Sequence, residues 1–541
     1  MSGYVWYIPV NREQFLIFAP FHGITTLVNY VMAESVSRCL ENPSAPIPEN
    51  AEWIGVLRKP GSRPDRKWGV PDPVFLGLIP TRGCMMRCAY CDFVMQHDHP
   101  LMSFDLIRKA IDGYEEIMRK HPAAGWNIHF FGGEPFAAYK EVVFAVIYAR
   151  EKAASLGISV HFEVTTNGYY SEEKAHWIAE NFDTVVLSLD GFPDAQNRHR
   201  PGPGGKESFS AVCRSADIFS RGSCELIIRS CVSDENADEL KDWAEYLAKR
   251  WTVSAVCLEP MTESSLAEKN GLRPPDPETF VRNWTAARQV LSKEKIQLVY
   301  SSGNILSLSN SLCPMGKDAL IVSPEGFIGS CWQLSENQQA MGLDLHFGSV
   351  SRGKMVIDEA TLEKQRERSE ENRESCKACF CYAHCAGGCM LNRKRNKDFC
   401  RMTRIITLWQ LLEQLGCFTQ ANEMLVNSDF QDWLAERTDF LDVSGVISDV
   451  SHINFSPRSD PDSPEVSEVR PEIDAVSRQR SSMDVIRGWL RNGTRIITAD
   501  IDKELVNVLE GEDALRFHLE HSGMTESDIE SVYTALHEGR N

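Results

Sequence analysis

The chain has 541 residues, enough for two to four domains, with 43% hydrophobic and 25% charged residues, the composition of an ordinary globular protein. Fifty-seven Lys and Arg against 76 Asp and Glu leave a net charge of −19. That balance excludes non-specific nucleic-acid binding, which needs a basic footprint, and repels anionic membrane surfaces. No apolar run approaches the ~18–20 residues of a membrane helix. The N-terminus also lacks the basic segment and apolar run of a signal peptide. The 17 cysteines fall into clusters rather than a secreted disulfide framework. That usage fits a reducing cytoplasm, with no membrane and no nucleic acid among the partners.

Residues 4–10 alternate like a strand, 11–14 read as a turn, and 15–18 as a second strand. Residues 25–40 carry Leu27, Val28, Val31, Met32, Val36 and Leu40 at helical spacing. This hairpin and helix resemble part of the small peptide-recognition modules attached to peptide-modifying enzymes. A simple cap on the next domain is the plainer and favoured reading. Segments 43–48 and 59–67, rich in Pro, Ser, Gly and charge, read as linker, so a first unit is expected over 1–72.

Next comes an apolar run at 74–80, followed by Cys84, Cys88 and Cys91 in the spacing C-x3-C-x2-C, with Tyr90 before the last. Three thiolates can hold three corners of a cubane iron–sulfur cluster and leave the fourth iron open. A zinc site normally takes four protein ligands, and a disulfide an even count of cysteines. This trio resembles the signature of the radical S-adenosylmethionine (radical SAM) enzymes. The resemblance implies a [4Fe-4S] cluster on Cys84, Cys88 and Cys91, with SAM chelating the open iron. Reductive cleavage of SAM would then give a 5′-deoxyadenosyl radical that abstracts a substrate hydrogen.

From 73 to about 300, strands expected at 74–79, 126–131, 159–165, 184–189, 226–232 and 254–259 alternate with helices. The helices are expected at 104–121, 139–155, 171–182, 208–220, 236–250 and 277–294. Six βα units are too few for a closed eight-stranded barrel. They match the partial (β/α)6 barrel that the resemblance implies, an α/β fold whose reactive groups lie at strand C-terminal ends. Short motifs fall at those ends. Gly132-Gly133-Glu134-Pro135 matches the family's GGEP turn, which binds the SAM amino group through a carbonyl or carboxylate. Thr165-Thr166-Asn167-Gly168 matches a TNG turn of one branch. Ser188, Asp190 and Arg200 match that branch's Ser-x-Asp-Gly and its SAM-carboxylate arginine, whose fork suits a carboxylate. Gln196-Asn197 depart from the usual His-Asp before that arginine. Arg229 is a weaker candidate for the same role.

Cysteines recur from 313 to 400. Cys313, Gly326 and Cys331 form C-x12-G-x4-C, and Cys376, Cys379, Cys385 and Cys389 form C-x2-C-x5-C-x3-C, before Cys400. The array resembles the SPASM extension, and a zinc ribbon is the plainer alternative. The resemblance implies two auxiliary [4Fe-4S] clusters, one on Cys313, Cys331 and Cys389 and one on Cys376, Cys379, Cys385 and Cys400. The first set lacks an eighth upstream cysteine, so an open or exchangeable iron is expected there, with Cys257 and Cys381 as alternative ligands. Segments 405–415 and 418–440 read as helices, placing this domain with its helices over 301–440. A linker rich in Ser, Pro and acid is expected over 441–482, and a small helical domain of unknown role over 483–541.

Most SPASM enzymes act on peptides or proteins. The chain therefore resembles a maturase of ribosomally made peptides that forms a crosslink or another oxidative modification. Its expected partners are a precursor peptide and an electron donor such as flavodoxin or ferredoxin. The rival enzyme is an anaerobic sulfatase maturase, which makes formylglycine. That group carries an aspartate general base after the second cysteine of the array, where this chain has Trp332. No catalytic residue is assigned, and Asp318, Asp344 and Glu259 are guesses for a base. The non-enzyme reading is a zinc-stabilised binding protein.

Overall fold

The computed structural model describes residues 4–49, 51–61, 73–91, 100–119, 125–306, 308, 315–316, 319–332, 344–351, 354–453 and 455. Cys313, Asp318 and the tail expected at 483–541 lie outside the described residues. Strands β1 (Trp6–Pro9), β2 (Gln14–Ala19) and β3 (Ile24–Asn29) form an antiparallel sheet in that order. Helices α1 (Tyr30–Glu41) and α2 (Ile54–Leu57) follow. The helix expected over 25–40 is thereby corrected, because residues 25–29 are strand. Thr25, Thr26 and Val28 are β-branched and pair with β2. Asn29 then caps α1, its side chain accepting from the Met32 N–H at 2.9 Å.

Alternation buries both faces of this sheet. Trp6, Ile8, Leu16 and Phe18 join the main core, beside Phe380 and Tyr382. Tyr7, Phe15 and Ile17 join a second core with Val36, Ile54 and Val446.

The central domain runs β4 (Phe75–Leu78), α3 (Phe104–Met118), β5 (Gly125–Phe130), α4 (Tyr139–Leu156), β6 (Ser159–Thr166) and α5 (Glu172–Asn181). It continues through β7 (Thr184–Ser188), α6 (Pro193–His199), α7 (Phe209–Phe219), β8 (Glu225–Val232), α8 (Leu240–Arg250), β9 (Ala255–Pro260), α9 (Ser265–Lys269), α10 (Pro277–Lys293) and β10 (Gln297–Val299). Strands β4 to β10 are parallel neighbours in sequence order, as right-handed βα crossovers dictate. All six expected strands are present. β10 is a seventh, and its three residues are too short to carry a periodic signal.

The sheet does not close on itself. β10 forms one edge, while beyond β4 it continues through parallel β11 (Ala319–Val322) and antiparallel β12 (Phe327–Gly329), β13 (His346–Ser351) and β14 (Lys354–Ile357). The fold is a partial, open (β/α) barrel. Leu76, Ile128, Val164, Val185, Ile228 and Val256 are buried in the core with the helices. The alternate positions, among them Gly77, His129, Glu163, Arg229 and Cys257, face the concave side.

Helices α11 (Glu359–Glu374), α12 (Met390–Arg395), α13 (Phe399–Gln414), α14 (Phe418–Leu425), α15 (Ser428–Glu436) and α16 (Val443–Val450) complete the described chain. α13 is buried nearly throughout and packs on α10, α14 and α15. The helix expected over 418–440 splits where Asn427 caps α15, accepting from the Phe430 N–H at 2.9 Å. The linker expected from 441 starts instead with α16, because Val443, Val446 and Val450 fall on one face and bury against the N-terminal module. That module is also tied to residues far along the chain. The Tyr7 N–H donates to the Phe440 carbonyl at 2.8 Å, and the Trp6 indole to the Ala378 carbonyl at 3.1 Å. None of the described helices is long and apolar enough to cross a membrane.

Candidate active site

The loop after β4 carries Cys84, Cys88 and Cys91 to the C-terminal end of the barrel. Backbone bonds fix it from the far side of the sheet. The Arg87 N–H donates to the Pro201 carbonyl at 3.1 Å, and the Ala89 N–H to the His199 carbonyl at 2.8 Å. The Asn270 amide donates to the Ala89 carbonyl at 2.8 Å. The thiols lie close enough to repel one another's ionised forms, and burial pushes Cys84 up to about 11 and Cys88 higher still. Such thiols ionise only with a cation beside them. Three thiols close together on one loop, Cys88 buried and Cys84 and Cys91 half-buried, are the donor set an iron–sulfur cluster requires, and no fourth cysteine joins them among the described residues.

The GGEP turn packs directly on this loop. A Cβ on Gly133 would lie 2.2 Å from the Gly83 carbonyl oxygen and 2.4 Å from that of Arg82. Gly132 has φ +141°, and a Cβ there would lie 2.7 Å from the Thr81 carbonyl oxygen. The Gly133 and Glu134 N–H groups donate to the Thr81 and Gly83 carbonyls at 3.1 and 2.8 Å.

The Glu134 carboxylate points elsewhere. It accepts from the Phe136 N–H at 3.1 Å, the Thr166 hydroxyl at 2.8 Å and the Asn167 N–H at 2.8 Å. Burial pushes its carboxyl up to about 7, while the three donors favour the ionised form. Of the two acceptors that the sequence suggested at this turn, the carboxylate is therefore committed to joining β5 to β6. The Asn167 side-chain amide donates toward Cys84 Sγ and Met85 Sδ, both at 3.5 Å, so the TNG turn touches the cysteine loop.

Asp190, after β7, is a fully buried hub. Its carboxylate accepts from the Tyr90 hydroxyl at 2.7 Å and the Cys231 N–H at 3.0 Å, and lies 2.9 Å from Arg200 Nε. His199 Nδ1 is 3.4 Å away. The Arg200 guanidinium heads the causes that hold the Asp190 carboxyl well below the usual range, against its burial. Arg200 sits over the Tyr90 ring at 5.3 Å, with Nη1 reaching toward Cys88 Sγ at 3.9 Å. The departure at Gln196-Asn197 is structurally absorbed. Gln196 Oε1 accepts from the Asp190 N–H at 2.8 Å, and Asn197 Oδ1 from the Ser208 and Phe209 N–H groups. Ser188 ends β7 on the concave side, opposite Arg229.

The concave side is polar. His129, His161, Glu163 and Glu225 lie toward its floor, where burial and Glu225 push the Glu163 carboxyl up to about 7. Burial and His161 hold His129 down at about 3, so the 3.6 Å His129–Glu163 contact joins two neutral groups between about pH 3 and about pH 7. Higher up, Arg229, Cys231, Cys257 and Glu259 line β8 and β9. Glu259, one of the guessed bases, accepts from the Ser301 N–H at 2.8 Å and from its hydroxyl. Asp344, another, accepts from the His346 N–H at 3.0 Å, next to the β12–β13 pairing rather than at the barrel mouth. Trp332 stacks on Phe75 and packs against Phe131 at 5.8 and 5.2 Å. Its Cη2 lies where a Cβ on Gly77 would meet it at 2.5 Å. An indole donates one N–H and takes no proton, so this position supplies no base.

Four of the described C-terminal thiols are gathered in one place. Cys376, Cys379, Cys385 and Cys400 lie together, each ionised member raising the Cys385 thiol. Arg393 and Arg404 favour the Cys400 thiolate. Cys381 lies beside this group, its buried Sγ 4.0 Å from the Thr403 carbonyl oxygen. Cys331 packs in a small separate cluster with Trp332 and Met390, the residue after Cys389. Cys313 is outside the described residues. All sixteen described cysteines are free thiols.

Residues 78–247 match the model of the radical SAM superfamily. A cysteine-type anaerobic sulfatase-maturating enzyme of Clostridium perfringens is 25% identical over 353 residues, which are 60% of this chain and 91% of that enzyme. A serine-type anaerobic sulfatase-maturating enzyme of Klebsiella aerogenes is 21% identical over 344 residues, 59% of this chain and 80% of that one. The solved structure of native anSMEcpe with bound AdoMet and Cp18Cys peptide aligns at 19% identity with a TM-score of 0.47, over 66% of this chain and 98% of that one. Streptococcus suis SuiB bound to S-adenosylmethionine aligns at 12% identity with a TM-score of 0.43, over 73% and 97%. The match places a radical SAM domain, of the class that uses a [4Fe-4S] cluster and S-adenosylmethionine, at residues 78–247 of this enzyme.

Proposed function

We propose that this enzyme matures a ribosomally made peptide, removing hydrogen from it to leave a crosslink or another oxidative modification. When bound, the cluster and SAM supply the 5′-deoxyadenosyl radical that takes the hydrogen atom. The observation that carries the reading is the contact of the cysteine loop with the motifs at the strand C-terminal ends, the Asn167 amide lying 3.5 Å from Cys84 Sγ and Arg200 Nη1 3.9 Å from Cys88 Sγ. Cys84, Cys88 and Cys91 hold the cluster. Backbone acceptors of Gly132, Gly133, Glu134 and Pro135 receive the SAM ammonium, with Asn167 beside them. The Ser188 hydroxyl and the Arg200 fork receive its carboxylate. Asp190 and the Glu134 side chain act through their neighbours, as positioning residues.

The C-terminal thiols hold two auxiliary clusters of the SPASM type, one on Cys376, Cys379, Cys385 and Cys400 and one on Cys313, Cys331 and Cys389. The gathered, arginine-flanked thiols of the first-named set support this assignment. Electrons enter from a cytoplasmic donor such as flavodoxin or ferredoxin. Peptide docking is supported by β3, the terminal strand of the N-terminal sheet, which offers its outer edge for strand addition. A second reading, sulfatase maturation, is favoured by the relatives named above. The Trp332 stack, where a base would be needed, argues against it.

Anaerobic co-incubation with candidate precursor peptides tests the proposal. Peptide mass should fall by multiples of two hydrogens together with 5′-deoxyadenosine release. A formylglycine product on a sulfatase peptide would instead support the second reading.

A further inference from the structure

Arg229 stands at the C-terminal half of β8, on the concave side, between Ser188 of β7 and Cys257 of β9 in the strand register. It is the one exposed residue of its strand, where the alternate positions are buried. Its guanidinium has no hydrogen-bond or ion-pair partner among the described residues. The carboxylate on the adjoining strand, Glu259, is engaged by the Ser301 N–H and hydroxyl and lies beyond ion-pair distance of Arg229. The other arginine at this mouth, Arg200, has its Nε 2.9 Å from Asp190 and its Nη1 turned toward Cys88, which places it beside the cysteine loop in the SAM role given to it above. Cys257 and Glu259 on β9 and Cys231 on its own strand act electrostatically on Arg229, and Arg200 opposes them. An arginine fork without an anion, enclosed by barrel wall yet open to the interior, is matched to a planar carboxylate.

From this arrangement we infer that Arg229 is the receptor for a carboxylate of the substrate, and so a specificity-determining residue. The enzyme selects peptides that present an acidic group near the hydrogen to be removed. The group is either an Asp or Glu side chain or the C-terminal carboxylate. The inference rests on the peptide reading above.

The test uses the reconstituted full chain and capped pentapeptide pools that carry a central Glu or a central Gln, each as C-terminal acid and C-terminal amide. The readout is the peptide-dependent rate of 5′-deoxyadenosine formation, with the SAM dissociation constant measured in parallel. Glu over Gln by roughly tenfold or more in kcat/KM identifies a side-chain acid, and acid over amide termini identifies the C-terminus. Arg229→Gln should abolish whichever preference appears, Arg229→Lys should restore part of it, and SAM affinity should stay within about twofold. Acceleration without any acid preference overturns the anion site and leaves the peptide reading standing. A tenfold loss of SAM affinity in Arg229→Gln also overturns it, by assigning Arg229 to SAM. No acceleration by any pool overturns both.

Discussion

The two thiol groups of this chain are built in opposite ways. Cys84, Cys88 and Cys91 sit on a loop pinned from one side, with a polar barrel interior open on the other. Of the C-terminal four, Cys379 and Cys385 are buried and Cys376 and Cys400 half-buried, with Phe380 and Tyr382 in the core, Trp6 bonded to Ala378, and arginines flanking Cys400. Open access suits a site where substrate meets a reactive species. Enclosure suits groups that store or pass electrons, because burial and fixed charge set a potential without exposing the centre. The N-terminal sheet belongs to the enclosed half. It closes over the C-terminal cysteines, so the module expected to bind peptide also walls in the auxiliary site.

This contrast is breakable by substitution. The largest effect is expected from a Cys376→Ala/Cys379→Ala variant. It should lose about four irons and peptide product formation, while SAM affinity stays within about twofold. Equal loss of SAM binding would erase the distinction between the two halves. Trp6→Ala empties a fully buried site and should cost about 3–5 kcal/mol in denaturant titration, with auxiliary iron lost before SAM binding. Asp190→Ala removes the anion between Tyr90 and Arg200. It should cost on the order of 3 kcal/mol and weaken SAM binding about tenfold or more. Gly77→Ala should cost about 1–3 kcal/mol by driving into Trp332 and Ile321, and Trp332→Ala should relieve the Trp332 part of that in the double variant.

The smallest effect concerns pH. Glu163 faces His129, His161 and Glu225, and its carboxyl is raised from 4.5 to about 7. The folded chain therefore holds that proton more tightly than the unfolded chain. Stability from this group is present below pH 4.5 and is lost as pH rises through 7. Glu163→Gln should flatten that slope in pH-dependent thermal unfolding.

Much of the barrel was legible because its signals are local. Alternating strands, helical faces and the glycines of the GGEP turn each obey a short-range rule. Gly133 shows why, since no side chain fits between it and the Gly83 carbonyl. What was not legible is non-local. Nothing near Trp6 in sequence announces its bond to Ala378, 372 residues away. The Tyr90–Asp190–Arg200 network joins two motifs that reading in order treats separately. Arg229 was ranked as a second SAM arginine because its neighbours Cys257 and Glu259 are visible only once β8 pairs with β9. The helical spacing over 25–40 misled because β-branched residues at 25–28 fit either period, and pairing with β2 decided for strand.

The most direct test of the account is iron and sulfide content, with SAM cleavage, after anaerobic reconstitution of the wild type and of a Cys84→Ala/Cys88→Ala/Cys91→Ala variant. Three four-iron clusters predict roughly twelve irons per chain, falling to roughly eight in the variant with 5′-deoxyadenosine formation abolished. Unchanged iron content, or SAM cleavage surviving in the variant, would contradict the assignment of the open thiol trio as the reactive centre.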